Sequence, residues 1–309
     1  MADNSPNGFS AKEAVAAEGK GARRRSPVPL AILAALFVIV PFLAWYGTWF
    51  GRALSDEEIG EYLSDETKPR HVQHALSQIA ERMDKRDESV KKWYPQILKL
   101  AESPVAELRL LVAWLMGKDN SSEEFHAALL RLIGDQEPIV RRNAALSLVT
   151  FGDASGRAEL RAMLQPYTVV VPFEGTVASV LPAGSQLAVG SLLARLKDAN
   201  GQLQELRSPL PGKINQVLAP EGTQVKAGEP LLSLAPDSNS VWEALRALYL
   251  VGQREDLAEI EKYSRGVEGL SERIKEQAAL TAKAIESRSK NLDAAGSANQ
   301  PSRAEHPAK

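Results

Sequence analysis

The hydrophobic positions along this chain follow three different rules. Residues 28 to 50, VPLAILAALFVIVPFLAWYGTWF, run without a charged side chain. As a helix that stretch rises roughly 35 Å, enough to cross a hydrocarbon core of about 30 Å. From residue 54 to about 165, apolar residues recur at helical intervals between polar ones. Between 167 and 237 that period is lost: TVASVL, LLARL, KINQVL and LLSL are short strand-like runs punctuated by Gly and Pro turns. Helical spacing returns at 239 and continues to about 288.

The helical stretch repeats. KPRHVQHALSQIA begins at Lys68, SPVAELRLLVAWLMG at Ser103 and EPIVRRNAALSLVTFG at Glu137, with Pro69, Pro104 and Pro138 spaced by 35 and 34 residues. Each proline precedes a run with apolar residues at helical spacing, as expected for proline in a first turn. Second helices such as SVKKWYPQILKLA and SEEFHAALLRLIG lie between these runs. A helix pair at this period predicts an α-solenoid, in which each pair buries its apolar face against the next. The array then breaks and resumes: residues 144 to 164 are echoed by 244 to 264, Gly152 matching Gly252 and Leu160 matching Ile260. The stretch 167 to 237 therefore reads as a separate module inserted into the array, its ends close together.

The inserted module is itself duplicated. PFEGTVASVLPAGSQLAVGSLLARL (172 to 196) aligns with PLPGKINQVLAPEGTQVKAGEPLLSL (209 to 234) if one residue of gap is allowed. Gly175 then falls on Gly212, Gly184 on Gly222 and Gly190 on Gly228. Glycine at matching places predicts turns with positive φ. The two halves facing each other make a flattened β sandwich. Between them Asn200-Gly201 is a strong two-residue hairpin signal, for which a type I′ turn needs positive φ at both positions.

Charge adds a direction to the apolar run. Lys20, Arg23, Arg24 and Arg25 precede it, whereas Arg52 and then Asp56, Glu57 and Glu58 follow. The excess of positive charge on one side predicts a cytoplasmic N-terminus and places everything after residue 51 across the membrane. Trp45, Tyr46 and Trp49 fall at the far end, where amphipathic rings favour the interface. A cleaved signal peptide has a shorter apolar region and small residues at its end; here aromatics stand in that place. Residues 1–27 and 289–309 are poor in apolar residues and read as disordered tails. Length allows about two domains. With 44% hydrophobic and 25% charged residues and a net charge of −2, nothing points to nucleic acid. No cysteine is present, which excludes disulfides and thiolate metal sites.

Catalytic patterns are missing. No G-x-S-x-G, Walker A, G-x-G-x-x-G or H-E-x-x-H string occurs. His71 and His74 sit three apart on a predicted helix but lack a third ligand at a convincing spacing, and read as two polar residues on an exposed face. His126 reads as a helix-surface residue, and Trp114 with Met116 as solenoid core. Lys213 and Lys226 read as solvated strand and turn charges. We expect no catalytic residue, no metal and no bound cofactor.

Two resemblances follow from these residues. The proline, Ala-Leu-rich helix, Gly turn and second amphipathic helix resemble short HEAT-type repeats. The tetratricopeptide Trp-Leu-Gly-Tyr signature is absent. The doubled G-x-V…G-x-x-V-x-x-G-x-x-L-x-x-L pattern, with Ser208-Pro209 opening the second half, resembles the biotinyl/lipoyl domain superfamily, which includes carrier domains and the lipoyl-like domain of periplasmic adaptor proteins. In carriers the modified lysine lies in the link between halves, a few residues before Glu-Val-x-x-Pro. Placing Glu205-Leu206-Arg207-Ser208-Pro209 on that segment puts Gly201 where the lysine would stand and Asn200 before it; Lys197 falls before the tip. The resemblance therefore implies a module without its cofactor. Adaptors carry a long helical hairpin in the same link, and eleven residues (197 to 207) are too few for one.

The expected fold class is α+β: a single transmembrane helix, then a HEAT-like α-solenoid (54–165 and 239–288) with an inserted lipoyl-like β sandwich (167–237). The expected role is that of a non-enzymatic, membrane-anchored periplasmic scaffold in a bacterial inner membrane. Its partners would be the lipid bilayer through 28–50, proteins of a membrane complex and further copies of itself. The alternatives are a divergent adaptor of an ABC-type or RND-type exporter and a lipoyl or biotin carrier.

Overall fold

The computed structural model describes residues 33, 35–42, 52–267 and 269–298. It divides into two units, 1–53 and 54–309. In the first unit residues 35–42 are helical. Most of the apolar run, with Arg23, Arg24, Arg25, Trp45, Tyr46 and Trp49, lies outside the described residues. Among those described, no helix is long and apolar enough to cross a membrane.

The second unit opens with a helix fixed by its first residues. Ser55 Oγ accepts the Glu58 N–H at 3.2 Å while the Glu58 carboxylate accepts the Ser55 N–H at 2.9 Å, a reciprocal cap that starts α1 (Asp56–Ser64). Then follow α2 (Pro69–Asp84), a 3₁₀ turn (Glu88–Trp93), α3 (Tyr94–Leu100), α4 (Ala106–Met116), α5 (Glu123–Leu132), α6 (Pro138–Thr150) and α7 (Arg157–Ala162). Pro69 and Pro138 open their helices, where a missing N–H costs nothing. Pro104 does not: α4 begins two residues later, behind Val105, whose N–H is held by Ser103 Oγ. Eight strands come next, then α8 (Ser238–Val251), a 3₁₀ turn (Arg254–Asp256), α9 (Leu257–Ser264) and α10 (Glu272–Ala298). Helix α10 runs to Ala298, ten residues beyond the end that composition suggested.

Helices α2, α4, α6, α8 and α10 pack in succession, and α3, α5, α7 and α9 line their side. Polar contacts tie α4 to α6 and α8 to α10. Arg109 on α4 makes a two-pronged contact with Asp135 at 2.7 and 2.9 Å, both side chains under 10% exposed. Ser147 Oγ on α6 donates to the Ala113 carbonyl at 2.8 Å, and Thr281 Oγ1 on α10 donates to the Leu245 carbonyl of α8 at 2.9 Å. Gly117 permits the α4–α6 approach: a Cβ there would stand 2.6 Å from Ser147 Oγ.

The helical row is interrupted and resumes without a break in its core. Ala145, Val149, Leu160 and Leu164 before the sandwich share one buried cluster with Val241, Leu245, Leu248 and Ile260 after it. Between them stand β1 (Tyr167–Val170), β2 (Gly175–Val180), β3 (Gln186–Leu187), β4 (Leu192–Asp198), β5 (Leu203–Arg207), β6 (Gly212–Val217), β7 (Gln224–Val225) and β8 (Pro230–Pro236). They form two four-stranded antiparallel sheets, ordered β1-β8-β6-β3 and β5-β4-β2-β7. Replacing each strand by its counterpart in the other half (β1 by β5, β2 by β6, and so on) turns one order into the other. Every sheet therefore contains strands of both halves.

The alignment of the halves holds down to single bonds. Gly184 N–H donates to the Ile214 carbonyl and Gly222 N–H to that of Val177, each at 2.8 Å. Likewise Gly190 donates to Ser208 and Gly228 to Val171, each at 2.8 Å. These four glycines have φ between 78° and 91°, where a side chain is strained. Gly175 and Gly212 serve a different need, since a Cβ on them would lie 2.5 Å from the Lys197 carbonyl oxygen and 2.4 Å from that of Ala235.

Candidate functional site

The hairpin tip between β4 and β5 is built differently from the two-residue turn that Asn200-Gly201 suggests. Gly201 has φ 79°, whereas Arg86 is the one non-glycine residue with positive φ among the described residues. Asn200 therefore does not take the conformation a type I′ turn requires. Gly201 N–H donates to the Asp198 carbonyl, and Asp198 N–H donates to that of Gln202, each at 2.9 Å. This closes a three-residue loop, Ala199 to Gly201, with glycine at its left-handed position. The Asp198 carboxylate decides the matter by accepting the backbone N–H groups of Asn200 and Gln202, both at 2.9 Å. The Gln202 N–H and the Gln204 side chain hold that carboxyl below its ordinary range. Lys197, exposed on β4, leans against the tip: its Cε would be 3.4 Å from a Cβ on Gly201.

The histidines pack more closely than their spacing implies. Both rings of α2 turn toward Tyr62 of α1, His71 stacked at 4.4 Å and His74 tilted at 6.5 Å between centroids. Each is half-buried rather than on an open face. His126 is half-buried too, with Nε2 2.7 Å from Asp153 Oδ2 and its ring stacked on Phe151. No cluster of His, Cys, Asp and Glu among the described residues could hold a metal ion. Lys213 and Lys226 are exposed.

Trp114 corrects the expectation of a buried pair. Met116 is fully buried, but Trp114 is 47% exposed and carries Lys118 Nζ 4.7 Å above its ring. Leu108, Val112 and Met116 are buried on α4 as Val140, Ala144 and Leu148 are on α6. In that register Trp114 holds the place that Leu146 holds on the next helix of the row.

Leu146 opens onto a groove of about 460 Å³ shared by α6, α8 and α10. Val149 and Thr150 line it from α6, Arg246, Ala247 and Leu250 from α8, and Leu280 from α10. Leu250 is 61% and Leu280 56% exposed. Glu243 and Gln277 also line it, so apolar and polar side chains alternate around the groove. Sequence reasoning missed this groove because its residues are separated by the whole sandwich. The available signal was the pair of leucines lying off the buried stripes of α8 and α10.

Comparison with known proteins agrees with the helical part. The family profile for HEAT repeats matches residues 94–170, from α3 to β1. A search of curated proteins finds no match. Among solved structures, a single-chain, multi-domain long-chain acyl-CoA carboxylase is similar at 19% identity over 32% of this chain and 11% of that one. The TM-score is 0.22, too low to bear on fold or function. The structure is of α+β class: a row of helices, of which residues 94–170 match HEAT repeats, with an inserted, duplicated β sandwich and a groove of mixed lining.

Proposed function

We propose that this chain is a non-enzymatic scaffold anchored in a bacterial inner membrane, its N-terminus cytoplasmic and its helical and β parts periplasmic. The observation that carries the scaffold reading is the groove formed by Leu146, Leu250 and Leu280, a surface suited to the apolar stripe of another protein. The direction across the membrane rests on Arg23, Arg24 and Arg25 before the apolar run and the acidic residues after it.

The sandwich is read as a lipoyl-like module that has no cofactor. Its support is the trading of strands between two halves of matching sequence, together with a tip whose loop residues are Ala199, Asn200 and Gly201. The order of anchor and sandwich favours a second reading, a divergent exporter adaptor; the three-residue loop leaves no room there for an adaptor's helical hairpin. A carrier role would require a covalent group on Lys197, beside the tip.

Tagged protein purified from its own host in mild detergent should bring down a defined set of membrane-complex subunits. Recovery of the chain alone would overturn the scaffold reading, and recovery with an exporter permease would replace it by the adaptor. Intact-mass spectrometry of the same sample should give the unmodified mass; an added lipoyl or biotinyl mass would make it a carrier. A reporter fused after residue 60 should read as periplasmic, and a cytoplasmic signal would remove the assigned location.

A further inference from the structure

Helices α2, α4 and α6 run the same way, so the row has an edge of starting ends and an edge of finishing ends. At the starting ends Ser103 Oγ, before α4, donates to Glu66 Oε2, before α2, at 2.5 Å, and Arg109 reaches Asp135, before α6. At the finishing ends Lys118 reaches Asp84 at 2.7 Å, and Thr150 Oγ1 donates to the Gly117 carbonyl at 3.0 Å. The sandwich joins the starting edge. Its last strand ends at Pro236 and Asp237 caps the start of α8, while Ile139 in the first turn of α6 packs against both the helical and the sandwich core.

The chain enters this unit at the other edge. Leu54 is buried; its N–H donates to Gln78 Oε1 at 2.8 Å and its carbonyl accepts from Arg82 at 3.3 Å, both in the last two turns of α2. Arg82 also holds Asp56 at 2.6 Å. The apolar run 28–50 ends four residues before Leu54, and four residues reach at most about 14 Å. Helix α2 has 16 residues, so about 24 Å separates this edge from the one that carries the sandwich.

Beside Leu54 the finishing edge carries two exposed cations, Lys85 and Arg86, directly after α2. The acids next to them are occupied: Asp84 by Lys118, Asp87 by the Ser89 N–H that it caps, and Glu88 by Lys91. Among the described residues neither Lys85 nor Arg86 has an acidic partner, and Glu81, one turn earlier, pairs with neither. Arg86 also stands at φ 58°, where glycine would be free of strain. A side chain kept at such a position points to a use for it. We propose that Lys85 and Arg86 contact anionic phospholipid headgroups, laying the finishing end of α2 on the bilayer and holding the sandwich on the side away from it. This rests on reading residues 28–50 as a membrane anchor, and it adds a second, electrostatic contact made by the folded unit. The ligand is the bilayer's own lipid, because the run that enters it ends four residues from Leu54.

The chain has no cysteine, so a single introduced thiol can carry a donor dye. The dye is placed on Ser89→Cys, beside the two cations, or on Asn200→Cys at the sandwich tip, both exposed. Each full-length chain is reconstituted into vesicles of phosphatidylethanolamine and phosphatidylglycerol that contain a headgroup-labelled acceptor lipid. The chain should float with the vesicles, the Ser89 dye should transfer energy strongly and the Asn200 dye weakly. Lys85→Gln with Arg86→Gly, a pair that suits the backbone at both positions, should weaken the headgroup contact about fivefold per cation lost. Transfer from Ser89 should then fall to the value measured in vesicles of phosphatidylcholine alone. Flotation with equal transfer from both dyes would overturn the proposal and leave the anchor standing. So would Ser89 transfer that neither the double variant nor neutral lipid changes. A chain that fails to float would overturn the anchor reading and this proposal with it.

Discussion

In the helical row each repeat touches only its neighbours, whereas in the sandwich the two copies exchange strands so that neither sheet exists without both. Contacts in the row are local: Arg109 reaches Asp135, Ser147 reaches Ala113, Thr281 reaches Leu245. In the sandwich a bond such as Gly184 to Ile214 has a mate, Gly222 to Val177, on the other side of the twofold relation. Damage to the row should therefore stay near its origin, and damage to the sandwich should appear in both sheets.

The largest expected effect comes from Gly212→Val or Gly175→Val. Either places a Cβ about 2.5 Å from a backbone carbonyl oxygen of the neighbouring strand. We expect a cost of about 3 kcal/mol or more from each, with hydrogen-exchange protection lost in both sheets while α4 and α5 keep theirs. Loss confined to one sheet would break the comparison.

Next is Asp135→Asn, which leaves the buried Arg109 without its counter-charge and should cost about 3 kcal/mol. Burial would raise the Asp135 carboxyl, but Arg109 and the Glu137 N–H outweigh it and hold the carboxyl below its ordinary value. A group depressed in the folded state stabilises above its unfolded pKa, about 3.9, and loses that contribution as pH falls through the folded value. Denaturant titrations should show stability falling below about pH 4 in the wild type and a smaller acid loss in the variant.

A smaller effect is expected at the C-terminal end of α8. Arg288 donates to the Tyr249 and Gly252 carbonyls at 2.6 and 2.9 Å. Arg288→Ala should cost about 1–2 kcal/mol and raise exchange in α8 without changing α4.

The smallest effect has the opposite sign. Arg86 ends α2 at φ 58°, with Asp87 N–H returning to the Arg82 carbonyl at 3.0 Å. Gly152 ends α6 in the same way, with Asp153 returning to Leu148 at 3.1 Å. Arg86→Gly should therefore stabilise the chain by about 1 kcal/mol, read as a higher melting temperature, while Gly152→Ala should lower it.

What the sequence revealed and what it hid divide along the same line. Periodic features were legible: two of three prolines open helices, and the six paired glycines occupy matching places. Features depending on a neighbour's identity were not. Helix α4 is apolar nearly all round, so composition could not show that Trp114 faces out. The tip loop was settled by the Asp198 carboxylate, a choice that Asn-Gly alone does not make. Arg86 stands where glycine is usual, and Arg142 looks like any helix arginine although the fold buries it. The groove needed helices brought together across an insertion.

The most direct test of the scaffold reading compares co-purification of full-length wild type with Leu250→Asp/Leu280→Asp, two exposed positions whose change leaves the buried cores alone. Wild type should retain a stoichiometric set of partner subunits, and the double variant, folded to the same melting temperature, should lose it. An identical partner set on both proteins, or none on wild type, would contradict the account.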